Sequence, residues 1–139
     1  MPLPERERQE FLAEPHVAAL SVDAGADRGP LTVPIWYWYE PGGELWVLTP
    51  AASRKTALIG AAGRFSMLVH RVAPTVRYVS VEGPVTGVTP GTGDDLRVIA
   101  GRYLPLEQLD GYLAVAEAEH GEQVVIRMRP ERWLSADLG

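Results

Sequence analysis

Apolar residues alternate with polar ones, or run unbroken for a few positions, in about six stretches of the chain; in three or four others they recur at helical spacing. Residues 4–14 read as a short helix, with Phe11 and Leu12 as its apolar contact and Pro15 as its stop. His16 to Val22 reads as a strand, and the turn-rich segment Asp23 to Pro30 closes a hairpin. Leu31 to Glu40, LTVPIWYWYE, is the most β-prone run. Its alternating sets are Leu31, Val33, Ile35, Tyr37, Tyr39 and Thr32, Pro34, Trp36, Trp38, Glu40. Both are largely apolar, so both sides of the strand are covered. Pro34 brings no N–H to a ladder, which makes this strand an edge, or leaves the ladder open, at that point. A flat ring, a packed helix or a partner subunit would each suit the second face, and the pattern leaves these open.

Pro41-Gly42-Gly43 is a hairpin turn, and Leu45 to Thr49 returns from it as a buried strand. A helix opens at Ser53, runs to about Ala62 and ends at Gly63. Strands follow at Arg64 to Arg71 and Val76 to Val88, the second with a bulge or bend at Gly83-Pro84. Thr89 to Thr92 is a loop and Asp94 to Leu104 a helix. Pro105 breaks it, and Leu106, Leu109, Tyr112, Leu113 and Ala116 then repeat at helical spacing to about His120, before Gly121. A last strand covers Gln123 to Arg129, and PERWLSADL follows as a tail. Antiparallel hairpins with one short inserted helix and a helical pair before the last strand make this an α+β chain, mostly β, folded as a small, partly open barrel. No repeat and no linker divides the 139 residues, which read as one domain.

The candidate chemistry lies between Thr49 and Lys55. Two cations, Arg54 and Lys55, stand in the first turn of a helix, against its dipole. A bound anion resolves that conflict: free backbone N–H groups, the Ser53 and Thr49 hydroxyls and the two cations would converge on one phosphate. A serine N-cap followed by two solvated charges accounts for the same residues.

Composition narrows the partners. Net charge is −5, and Lys55 is the only lysine, so no basic block is available to neutralise a nucleic-acid backbone. A single-stranded nucleic-acid platform on Trp36, Trp38 and Tyr39 would need a positive groove that this acidic balance does not offer. With no cysteine and three scattered histidines, no metal site is expected. No apolar run approaches the roughly 20 residues that span a bilayer, and the charged start MPLPERERQEFL leads into no signal-peptide core, so the expected setting is the cytoplasm.

The LTVPIWYWY strand, the Thr-x-x-x-Ser-Arg-Lys of Thr49, Ser53, Arg54 and Lys55, and the strand Arg77 to Gly83 stand in the order found in the pyridoxamine 5′-phosphate oxidase-like split β-barrel family, which the chain resembles from about Glu14 onward. The closing Ser135 to Leu138 also resembles the end of some deazaflavin-binding members.

The resemblance implies an FMN-binding split-barrel fold and a homodimer with cofactor at the interface. Residues matching Thr49, Arg54 and Lys55 hold the cofactor phosphate, the strand matching Val33 to Trp38 runs along the ring, and the strand around Tyr78 comes from the second subunit. The resulting site set is Pro34, Ile35, Trp36, Thr49, Ser53, Arg54, Lys55 and Tyr78. The implied activity is hydride transfer between FMN or the deazaflavin coenzyme F420 and a small conjugated organic substrate; a carrier or sensor that binds the cofactor without turnover needs the same residues. Tyr37, Tyr78 and His70 are candidate proton donors. Arg71, Arg77, Arg127 and Arg129 are candidates to line a channel for the anionic F420 tail, and Glu82 to pair with an arginine. Val33 replaces the arginine that opens the ring-contacting strand of the true oxidase, Tyr78 replaces a glutamine, and the segment gripping pyridoxamine phosphate is missing, so vitamin B6 oxidation is not expected.

Overall fold

The computed structural model describes residues 1–119 and 121–139. In chain order the elements are α1 (Glu5–Ala13), β1 (Ala18–Val22), β2 (Leu31–Ile35), β3 (Trp38–Tyr39), β4 (Leu45–Pro50), α2 (Arg54–Ala62), β5 (Arg64–Arg71), β6 (Arg77–Pro90), α3 (Gly93–Tyr103), α4 (Leu106–Glu119), β7 (Gln123–Met128) and β8 (Arg132–Asp137). The strands pair antiparallel in the order β2-β1-β5-β6-β7-β4-β3, with β8 also on β6. The sheet curls into a split barrel with four helices.

The 14-residue β6 holds the two halves together. Residues 77–84 pair with β5, and 85–90 pair with β7. At the change of partner a side chain has no room: a Cβ on Gly83 would lie 1.8 Å from the Arg129 carbonyl oxygen. Gly83-Pro84 is therefore the bend, while the register shift itself falls between Val85 and Gly87.

Leu31 to Glu40 does not form one strand. β2 pairs with β1 at one end of the strand order, and β3 pairs with β4 at the other; Trp36 and Tyr37 cross between them without a ladder. Pro34 does sit on an edge strand. The two-residue alternation survives the break: Tyr37 and Tyr39 are buried in the same core that Val33 and Ile35 pack against. That core also holds Phe11, Leu20, Val47, Met67, Val81 and Met128. Trp36 and Trp38 face the other way, onto a smaller cluster of Trp46, Ile99 and Val125. A helix, α3, thus meets much of the second apolar face.

The tail is the other departure. Residues 132–137 form β8, with Trp133 opposite Val81 and Ser135 opposite Val79. Ser135 is buried, and its hydroxyl accepts the Leu3 N–H at 3.1 Å. Asp137 then closes the end of the strand against Arg77 at 2.8 Å. One split strand and one strand in the tail raise the expected six to eight. The row along α4 is also less buried than its spacing predicts: Leu109 and Ala116 are covered, but Leu106 is 82% exposed. The expected end of this helix near His120 lies outside the described residues.

Candidate functional site

A cleft of about 400 Å³ opens where the strand order is split. Its rim is the edge segment Pro34, Ile35 and Trp36; Leu96, Ile99 and Tyr112 from α3 and α4 line it next to Trp36, whose ring lies 5.5 Å from that of Tyr112. Leu48, Thr49 and Pro50 at the end of β4, with Gln123 from β7 and Lys55 from α2, close one end. Pro50 and Gln123 are cross-strand partners, which places Gln123 there.

The polar corner follows from local structure. Thr49 continues the inward row of Leu45 and Val47, so it points into the barrel end and is 1% exposed. Its hydroxyl oxygen has no hydrogen-bond partner among the described residues. A buried hydroxyl without a partner costs about 1–3 kcal/mol, so a water or a ligand oxygen is expected against it. The helix beside it starts as predicted: the Ser53 hydroxyl accepts the Thr56 N–H at 3.2 Å and lies 2.9 Å from the Thr56 hydroxyl, which donates to the Pro50 carbonyl at 2.8 Å. Gly63 ends the helix at φ +73°, a backbone conformation that favours glycine. The first-turn N–H groups at 54 and 55 have no intrahelical acceptor. Burial depresses the Lys55 pKa, and no carboxylate lies within ion-pair reach of its ammonium among the described residues. A bare buried hydroxyl, a part-buried cation and a free helix start fit a phosphate or carboxylate.

Five of the eight expected residues therefore line one cleft: Pro34, Ile35, Trp36, Thr49 and Lys55. Ser53 shapes the corner through its cap and is not part of the lining; Arg54 is exposed beside it. Tyr78 sits elsewhere, on the outer face of the sheet, opposite His70 and Ala136. Leu96, Ile99, Tyr112 and Gln123 also line it, with Val17 from just before β1. Tyr112 stood out in the sequence only for its helical spacing, and the folding of α3, α4 and β7 around the split is what brings these residues to the cleft.

Of the candidate proton donors, Tyr37 is buried and its hydroxyl donates to the Leu12 carbonyl at 2.6 Å; burial pushes its pKa up. His70 lies in a shallow groove on the outer sheet face with Ala19, Pro34 and Leu68. None of the four arginines considered for a tail channel lines the cleft within one chain. Arg71 and Arg77 converge on Asp137 at 3.9 and 2.8 Å, Arg127 lies 5.8 Å from the Trp46 ring, and Arg129 is 3.7 Å from Glu131. Glu82 lies 3.6 Å from Arg64, both well exposed, which is a solvated surface pair.

No family model matches the sequence, and no curated protein matches it. Solved structures do match. A conserved hypothetical protein of Mycobacterium tuberculosis aligns with 97% of this chain and 85% of its own, at 24% identity and a TM-score of 0.70. An F420 reductase aligns with 91% and 94%, at 23% identity and a TM-score of 0.75. An FAD-binding protein of Mesorhizobium loti aligns with 99% and 95%, at 18% identity and a TM-score of 0.66. The chain has the split-barrel fold of the pyridoxamine 5′-phosphate oxidase-like proteins. In this split barrel the β4–α2 corner and the β2–β3 crossing, distant in sequence from α3, meet it around one cleft. Among the described residues no helix is long and apolar enough to cross a membrane, and no group of histidines and carboxylates is arranged to hold a metal.

Proposed function

We propose that this split barrel binds a phosphate-bearing flavin-type cofactor, FMN or F420, and serves as an oxidoreductase passing hydride between it and a small conjugated organic substrate in the cytoplasm. The observation that carries this reading is the buried, unpartnered Thr49 hydroxyl, set beside Lys55 and the start of α2 at the polar end of an aromatic cleft. Thr49, Lys55 and the N–H groups of residues 54–55 hold the phosphate, with exposed Arg54 closing over it. Pro34, Ile35 and Trp36 run along the ring, and Leu96, Ile99 and Tyr112 extend the apolar, water-excluding wall beside Trp36. The cofactor supplies hydride chemistry; the chain supplies binding, orientation and a dry wall.

The second half of the reading is a homodimer. The outer face of the sheet carries Leu68, 39% exposed, and Leu134, 63% exposed, among the small residues Ala19, Ser66 and Ser80. Tyr78 and His70 are on the same face. A second copy laid there buries these side chains and brings its own strand toward the neighbouring cleft.

A carrier without turnover remains the second reading, favoured by the position of Tyr37, His70 and Tyr78 outside the cleft of a single chain. Titration of the purified protein with FMN and with F420, followed by fluorescence, tests binding; reduced cofactor with enones or quinones then tests turnover. Tight binding and oxidation of cofactor by an acceptor support the enzyme, and tight binding alone the carrier. No binding of either cofactor overturns both.

A further inference from the structure

The crossing at Trp36-Tyr37 is the one place where the chain passes from one end of the strand order to the other, and neither sheet offers it a ladder. A side chain from 66 residues away supplies what is missing. The Tyr103 hydroxyl, at the last turn of α3, accepts the Tyr37 N–H at 3.2 Å and donates to the His16 carbonyl at 2.7 Å. Its ring stacks on Trp36, with centroids 4.8 Å apart and planes 11° apart. Trp36 in turn lines the cleft, and Tyr103 does not.

We infer that Tyr103 is a positioning residue for the ring-binding end of the cleft, acting through Trp36 by fixing the backbone of the strand crossing and the tilt of the indole. This rests on the cofactor reading above. The geometry separates two jobs: Lys55 and Thr49 act on the anionic end, and Tyr103 acts on the planar end without touching the ligand. A planar ligand gains from Tyr103 whether or not it carries a phosphate, whereas Lys55 matters only when the phosphate is present.

Two probes read this difference: FMN, and riboflavin, which has the same ring and no phosphate. If the wild type takes only F420, F420 and its phosphate-free deazaflavin riboside replace them. Y103F keeps the stack and removes both hydrogen bonds. It is expected to weaken FMN and riboflavin alike by about fivefold, the value of one neutral hydrogen bond, and to alter the absorption envelope of the bound ring. K55A is expected to weaken FMN and leave riboflavin unchanged. In a W36A background, Y103F should cost nothing further, because its effect runs through the indole. Should Y103F fold poorly by circular dichroism, Y103H, whose neutral imidazole keeps a ring with one acceptor and one donor nitrogen, is expected to hold riboflavin affinity to within about twofold of wild type.

Unchanged affinity and spectrum in Y103F, or the same fivefold loss in the W36A background, overturns the positioning role. Failure of the wild type to bind either ring overturns the cofactor reading instead, so the two failures are distinguishable.

Discussion

At the scale of single residues, Thr49 and Lys55 outweigh Arg54. All three stand together in sequence, but Thr49 is buried and Lys55 part-buried while Arg54 is exposed. Lys55→Ala should therefore weaken cofactor binding by about 1–3 kcal/mol, the range of a charge-assisted hydrogen bond, and Arg54→Ala by less than about 1 kcal/mol, as for an exposed ion pair. Fluorescence titration of the two variants checks the order. Burial depresses the Lys55 pKa, and a bound phosphate raises it again. Affinity should then fall as pH rises past the pKa of the free site, and Lys55→Ala should lose that alkaline limb while Thr49→Val keeps it. His16 titrates in the opposite pH direction. Its Nε2 lies 3.0 Å from the Phe11 carbonyl and 3.2 Å from the Glu14 carboxylate, and burial, opposed by Glu14, lowers its pKa. The folded chain takes up this proton less readily than the unfolded one. Its contribution to stability is complete above the ordinary histidine value, about 6.5, and is lost as pH falls through the lowered folded value. Melting temperatures measured from pH 8 to 5 should drop more steeply for wild type than for His16→Gln.

At the scale of elements, hydrophobic spacing located the helices and most strands to within a few residues. Ser53 and Gly63 mark both ends of α2 correctly because capping is local chemistry. Thr92 and Asp95 also form a capping box that starts α3, a signal present in the sequence and easily read past. The misreadings share a different cause. LTVPIWYWYE alternates without interruption, so nothing local says that its halves pair with different neighbours; β1 and β4 decide that. RWLSAD has too little alternation to stand alone and is a strand because β6 has a free edge for it. The Gly83 bend is legible as Gly-Pro, but its necessity comes from the Arg129 carbonyl, 46 residues away. Gly83→Ala must displace backbone and should cost about 1–3 kcal/mol or more in urea unfolding, the usual penalty for overpacking.

At the scale of the whole molecule, the split between the two ends of the strand order makes the cleft, and α3 and α4 make it a pocket rather than a groove. The proposed dimer completes it. A Leu134→Glu change places a charge on the most exposed apolar position of the outer sheet face, remote from the cleft of its own chain. Light scattering should show wild type at twice the chain mass at micromolar concentration and the variant at the chain mass. Cofactor affinity should fall with it if Tyr78 is contributed across the interface. A monomeric variant with full affinity would leave Tyr78 outside the site, and a monomeric wild type would remove the dimer from the reading.

What the sequence determined by itself was local: which residues alternate, where helices are capped, and that two cations crowd the start of a helix. Those features depend on neighbours a few positions away, so a linear reading reaches them. Only the tertiary structure decided which of those residues share a cavity. Thr49 and Lys55 came close because β4 runs directly into α2. Pro34 to Trp36 reach the same cleft because the crossing of the split carries them there, and Leu96, Ile99, Tyr112 and Gln123 because α3, α4 and β7 close over it. Burial left the Thr49 hydroxyl without a partner among the described residues, and burial is a property of the packed chain, which no spacing rule contains.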